Sequence, residues 1–117
     1  MANPVTHFEV LGKDVEALQR FYGEAFGWQM QDVMNGSYYM ANPSTEGAIN
    51  GGIGAAPDGG GGHVTFYVEV PDPAAALQKI SQLGGSIVQE PMDVPGGPTI
   101  ALFADPEGHV IGLVKSS

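Results

Sequence analysis

Cysteine is absent from the 117-residue chain, which removes disulfides, thiolate nucleophiles and zinc–thiolate sites from consideration. Positive charge is scarce. Lys13, Arg20, Lys79 and Lys115 are scattered among thirteen Asp and Glu, and a net charge of −9 repels phosphate backbones, so nucleic acid is not an expected partner. Long hydrophobic runs are missing as well: nothing approaches the roughly 20 residues of a membrane-spanning helix. The opening "MANPVTHFEV" has neither the basic nor the apolar region of a secretion signal. A cytoplasmic protein that does not engage membranes is expected. Two separate cores would each bury too little surface in so short a chain, so one domain is expected.

Glycine and proline, by contrast, are plentiful. The 18 glycines and 9 prolines sit between periodic segments, which is how short strands joined by turns are written. An internal repeat organises those segments. At an offset of 58, Phe8 matches Phe66, Val10 matches Val68, Asp14 matches Asp72, Ala17 matches Ala75, Gly27 matches Gly85 and Gln31 matches Gln89. The even offset preserves the parity of a pleated strand, so both copies point their apolar residues the same way.

Each copy reads as strand, helix and three strands. "VTHFEVL" alternates, with Phe8 and Val10 on one face and His7 and Glu9 on the other. In "HVTFYVEV", Val64, Phe66, Val68 and Val70 share a face and His63, Thr65, Tyr67 and Glu69 share the opposite one. Asp14 caps a helix running to Phe26 with a buried stripe of Leu18, Phe21, Tyr22 and Ala25, and Gly27 stops it. Asp72 followed by Pro73 opens the partner helix, whose stripe is Ala76, Ile80 and Leu83 before "GG" at 84–85. Three short apolar runs follow each helix: "WQMQDVM", "SYYMAN" and "AINGGIG", then "SIVQEPMDV", "TIALFA" and "HVIGLV". The expected fold is α+β, two tandem βαβββ modules forming a curved mixed sheet. Module one covers 1–55, a flexible linker "APDGGGG" covers 56–62, and module two covers 63–117. With the helices packed on the Phe8/Val10 and Phe66/Val68 faces, the odd-numbered face of the first strands lines a cup between the modules.

The stretches "THFEV" with "FYGEAFGW" at 6–28, "HVTFYVEVPDPAAAL" with "LGG" at 63–85 and "FADPEGHVIGL" at 103–113 resemble the glyoxalase/bleomycin-resistance protein/extradiol dioxygenase superfamily, the vicinal oxygen chelate fold. The likeness covers essentially the whole chain and is nearest to the small glyoxalase-like branch. It implies a cup that, in metal-using members, holds a divalent ion on one histidine from the first strand and one carboxylate from the last strand of each module. His7 stands at the first histidine position and His63 at about the second. The second carboxylate belongs four residues after the glycine of "DPEG", where this chain has Gly112, and Ile49 to Gly54 contain no Asp or Glu. Both carboxylate positions therefore lack a ligand.

"DPEG" at 105–108 has Pro at the second and Gly at the fourth position of a turn, so Asp105 and Glu107 read as turn residues feeding the last strand, and His109 as exposed. His7 and His63 read as cup-lining hydrogen-bonders ahead of metal ligands, because two imidazoles alone hold a divalent ion weakly. Trp28 fits the core or the cup rim equally, and Phe103 is similarly placed. Among Tyr38, Tyr39 and Met40 at least one aromatic points inward, a pattern that packing explains as readily as ligand contact. No serine has a His and Asp spacing suited to a triad.

The reading is a metal-independent small-molecule-binding protein whose cup is lined by His7, Glu9, Trp28, His63, Tyr67 and Phe103, with no metal and no cofactor expected. Its acidity favours cationic or neutral, partly aromatic ligands. Three alternatives stand beside it: a metal-dependent lyase, isomerase or dioxygenase using His7 and His63, acid–base catalysis by Glu9 with His7 or His63, and a scaffold or regulator whose cup is vestigial. Open sheet edges and the resemblance both lead to an expected homodimer.

Overall fold

The computed structural model describes residues 2–57 and 61–116, so residues 58–60 of the expected linker lie outside the described residues. Elements follow in the expected order: β1 (Val5–Gly12), α1 (Val15–Phe26), β2 (Gln29–Asp32), β3 (Tyr38–Asn42), β4 (Asn50–Ala55), β5 (His63–Val70), α2 (Pro73–Gln82), β6 (Ser86–Asp93), β7 (Thr99–Ala104) and β8 (Val110–Lys115). Strand, helix and three strands occur twice, as the repeat dictates, and the chain is α+β. No described helix is long and apolar enough to cross a membrane.

The chain forms two compact units, one over His7–Thr65 and one over the two ends, up to Thr6 and from Phe66 onward. The N-terminal residues join the second unit because the Glu69 N–H donates to the Pro4 carbonyl at 2.8 Å. Strand order is β2-β3-β4-β1 in the first unit and β5-β8-β7-β6 in the second. In each, the first and last strands of the repeat pair in parallel and the hairpins pair antiparallel. That is a mixed sheet, because the helix between the first and second strands of each repeat lets the last one return alongside the first.

Both helices start where their aspartates place them. Asp14 accepts from Ala17 N at 3.0 Å, and Asp72 accepts from Ala74 N and Ala75 N at 3.1 and 3.3 Å. Gly27 caps α1 in the left-handed conformation, φ 74°, a geometry that costs a residue with a Cβ. The buried stripes differ from the expected ones. In α1 the inward residues are Val15, Leu18 and Tyr22, whereas Phe21 is 61% exposed. Phe21 stands about 100° round the helix from Tyr22, at the solvent edge of that stripe, with its ring edge-on to that of Tyr22 at 5.1 Å. In α2, Leu77 at 1% exposure is the anchor, with Ala76 and Ile80 beside it. Leu83 lies past the last helical turn and is 70% exposed.

The core of the first unit is Val10, Ala41 and Ile53, with Phe8, Leu18, Tyr22, Trp28, Met30 and Tyr39 packed against it. The second has Val70, Leu77, Ala101 and Leu113, with Val68, Ala76, Ile80 and Phe103 around them. Phe8 and Val10 thus face the helix as alternation requires. In β5 only Val68 and Val70 join the core, while Val64 is 72% exposed and Phe66 is outside it. A ten-residue helix is about 15 Å long and an eight-residue strand about 26 Å, so α2 cannot cover all of β5.

Candidate functional site

The odd-numbered face of β1 presents His7, Glu9 and Leu11. In the parallel register Gly52 lies beside Glu9 and Gly54 beside Leu11, and across β4 the strand β3 sets Met40 beside Gly52 and Tyr38 beside Gly54. With two glycines on β4, the backbone there is bare on this face. The ring of Tyr38 lies over it, and a Cβ built on either glycine would collide with that ring. A ring over cross-strand glycines is in itself a packing device that repairs the missing side chains.

The hydroxyl adds chemistry to the packing. Tyr38 Oη donates to Glu9 Oε2 at 2.8 Å and stands 3.1 Å from His7 Nε2. A phenol has one proton to give. If that proton goes to the carboxylate, the oxygen is left to accept from His7, an arrangement that calls for an imidazole proton on Nε2. That tautomer gives a directed chain, His7 Nε2–H to Tyr38 Oη–H to Glu9. Burial holds the His7 imidazole below its ordinary value of 6.5, because removing water penalises the charged ring.

This set was only partly legible beforehand. His7 and Glu9 follow from strand alternation, whereas Tyr38 was one of three candidates. The signal that picks it out is the pair of glycines in "NGGIG" on the neighbouring strand, which leave room for one large ring from β3 and none for their own side chains.

The remaining candidates lie elsewhere. Tyr67 is 8% exposed and its ring covers Gly112, its parallel partner on β8, where an added Cβ would clash with it. His63 is exposed at the first position of β5. Trp28 packs on the helix side of β1, with ring centroids 5.2 Å from Phe8, 5.8 Å from Tyr22 and 5.2 Å from Phe26. It is therefore a core residue on the face opposite His7 and Glu9, since Phe8 and His7 are neighbours in a pleated strand. Phe103 likewise packs with Leu77 and Leu113 under α2. Both leave the candidate site for the same reason: each belongs to the apolar face that its helix covers.

"DPEG" forms the expected turn. Gly108 N donates to the Asp105 carbonyl at 2.9 Å, and Asp105 Oδ1 accepts from Glu107 N and His109 N at 2.9 and 3.0 Å. The His109 backbone N–H, with help from its imidazole, holds the Asp105 carboxyl below the usual range.

The superfamily's four-ligand ion site does not fit these residues. Register places the first-module carboxylate position at Gly52, opposite Glu9, and its counterpart in the second repeat at Gly112, opposite Tyr67. First strands keep the 58-residue offset (67 − 9), while their partners stand 60 apart (112 − 52). Each position is a glycine under a tyrosine ring. Among the described residues, no three of His, Cys, Asp and Glu are grouped as a metal would require, and stable sites use three protein ligands or more.

Residues 5–113 match the family model of the Glyoxalase/Bleomycin resistance protein/Dioxygenase superfamily. A "Glyoxylase-like domain-containing protein" of Didymella fabae is 26% identical over 116 residues, covering 90% of this chain and 88% of its own. A glyoxylase-named protein of Mycobacterium bovis, CFP32, is 29% identical over 110 residues; the match covers 89% of this chain but only 42% of that protein's length. Among solved structures, a superfamily member from Vibrio splendidus 12B01 gives a TM-score of 0.67 at 15% identity, covering 98% of this chain and all of its own. A methylmalonyl-CoA epimerase from Streptomyces coelicolor gives 0.67 at 19% identity, covering 100% and 96%. At such identities the structural likeness speaks for the vicinal oxygen chelate fold alone.

Proposed function

Since the chain belongs to the glyoxalase/bleomycin resistance protein/dioxygenase superfamily, we propose that it is a metal-independent member that binds a small molecule on the sheet face carrying His7, Glu9 and Tyr38. The observation behind this reading is the placement of Tyr38 Oη between His7 Nε2 and Glu9 Oε2, above a glycine where a ligating carboxylate would stand. The ligand is cationic or neutral and partly aromatic. Glu9 supplies a negative charge, the net charge of −9 attracts cations at long range, and the Tyr38 ring offers a flat surface for stacking.

The test is a thermal-shift screen of aromatic amines and neutral aromatics with and without EDTA. Ligand at a hundredfold excess over Kd adds about 2.7 kcal/mol of stability, which for a domain of this size raises Tm by roughly 10 °C. Glu9→Gln should weaken a cationic hit about tenfold, the worth of one exposed-to-half-buried charge contact of about 1.4 kcal/mol. Hits that vanish in EDTA, or an unchanged affinity in Glu9→Gln, count against the proposal.

Homodimer formation is part of the same proposal. The end strand β6 exposes Ile87, Val88 and Met92, and an apolar strand left at a sheet edge favours pairing with another chain. Sedimentation at micromolar concentration should show a dimer; a monomer removes this part.

A further inference from the structure

The geometry points to Tyr38 as the residue that decides metal specificity: its hydroxyl occupies the point at which His7 and Glu9 would otherwise converge on a divalent ion. The inference rests on the metal independence proposed above, and on three features of the first unit.

The first is position. Tyr38 Oη lies 2.8 Å from a carboxylate oxygen and 3.1 Å from an imidazole nitrogen. An ion at that point requires about 2.0–2.2 Å to each, a movement of about 1 Å by each side chain once the phenol is gone. The second is exclusion of the next ligand. Any side chain at position 52, directly opposite Glu9, would run into the Tyr38 hydroxyl. The phenol and a third ligand are thus mutually exclusive, so the glycine and the tyrosine form a matched pair. The third is protonation. With its proton on Glu9, Tyr38 is matched by a proton on His7 Nε2, so an ion at that nitrogen has to displace both the phenol and the Nε2 proton. One side chain therefore fills the ion's place, blocks a ligand and engages the nitrogen the ion would use.

Tyr67 over Gly112 repeats the steric part of this arrangement in the second unit. There the ring comes from β5 itself instead of the third strand. The same glycine-under-tyrosine exchange is thus reached through two different strands.

Isothermal titration with nickel and zinc tests the assignment on wild type, Tyr38→Phe, Tyr38→Ala and Tyr38→Ala/Gly52→Glu, each checked for folding by circular dichroism. An outer partner alone changes metal affinity about 10–100-fold, so a direct third ligand is expected to give the double variant stoichiometric binding about 100-fold tighter than wild type. Adding His7→Ala should abolish that gain. Wild-type binding as tight as that of the folded double variant overturns the assignment, and so does a folded double variant that binds no better than wild type. Should the double variant fail to fold, Tyr38→Ala alone is expected to bind about tenfold tighter than wild type, and no gain there overturns it equally. Nitrogen-15 spectra of the wild-type imidazoles give a second readout: His7 protonated on Nε2 supports the assignment, and protonation on Nδ1 alone refutes it. Failure of the thermal-shift screen would leave these titrations unaffected, so the two readings fail separately.

Discussion

Tyr38→Phe separates the phenol's packing role from its hydrogen bonds, because the ring stays over Gly52 and Gly54 while both polar contacts disappear. The lost donor to the Glu9 carboxylate is a bond to a charged group, worth about 1.5–3 kcal/mol, and the contact with neutral His7 about 0.5–1.5 kcal/mol. All three residues are only half-buried, so water recovers part of the loss, and the expected net cost is about 2 kcal/mol. Tyr38→Ala removes the ring as well and should cost about 4 kcal/mol, within the usual range for deleting an aromatic side chain. Urea unfolding followed by circular dichroism reads both, with the midpoint moving and the slope unchanged if the native state alone is affected. A cycle with Glu9→Gln then isolates the pair, with an expected coupling of about 1 kcal/mol. A Tyr38→Phe protein within about 0.3 kcal/mol of wild type and uncoupled to Glu9→Gln would refute the chain and leave Tyr38 a packing residue.

Three further outcomes follow from the same structure. His7 has a folded-state value below its unfolded 6.5; its contribution is intact above pH 6.5, falls as pH drops from there through the folded value, and then levels off. Subtracting the stability–pH curve of His7→Gln from that of wild type should show this acid-side loss; a difference that is flat between pH 7 and 5 contradicts the burial. Gly52→Ala places a methyl group against the Tyr38 hydroxyl and should cost about 1–3 kcal/mol by overpacking, read as a lower urea midpoint and relieved in a Tyr38→Ala background. Leu77→Ala should lose about 3 kcal/mol from a fully buried site, whereas Leu83→Ala stays within about 0.5 kcal/mol of wild type; equal losses would contradict the observed stripe of α2.

The chain's architecture is written locally. Alternation, the two aspartate caps and the glycine stops each operate over fewer than ten residues, so Asp14, Asp72, Gly27 and the faces of β1 can be read without knowing their neighbours. The "DPEG" turn is local in the same sense. Helix faces were less legible. Phe21 and Leu83 satisfy a spacing of three, but which residues of a helix meet the sheet depends on its orientation and its last turn, and these placed Val15 and Leu77 inside instead.

By itself the sequence determined the repeated β–α–β–β–β order, the polar face with His7 and Glu9, and the lack of an acidic residue at 49–54 and 112, since each depends on residue type and parity alone. Only the tertiary structure decided that Trp28 and Phe103 belong to the cores and that Tyr38 joins His7 and Glu9. Those contacts span 29 and 31 positions along the chain. They depend on the register between strands β1, β4 and β3, which brings two bare glycines under one ring, and no periodicity within a single strand encodes that register.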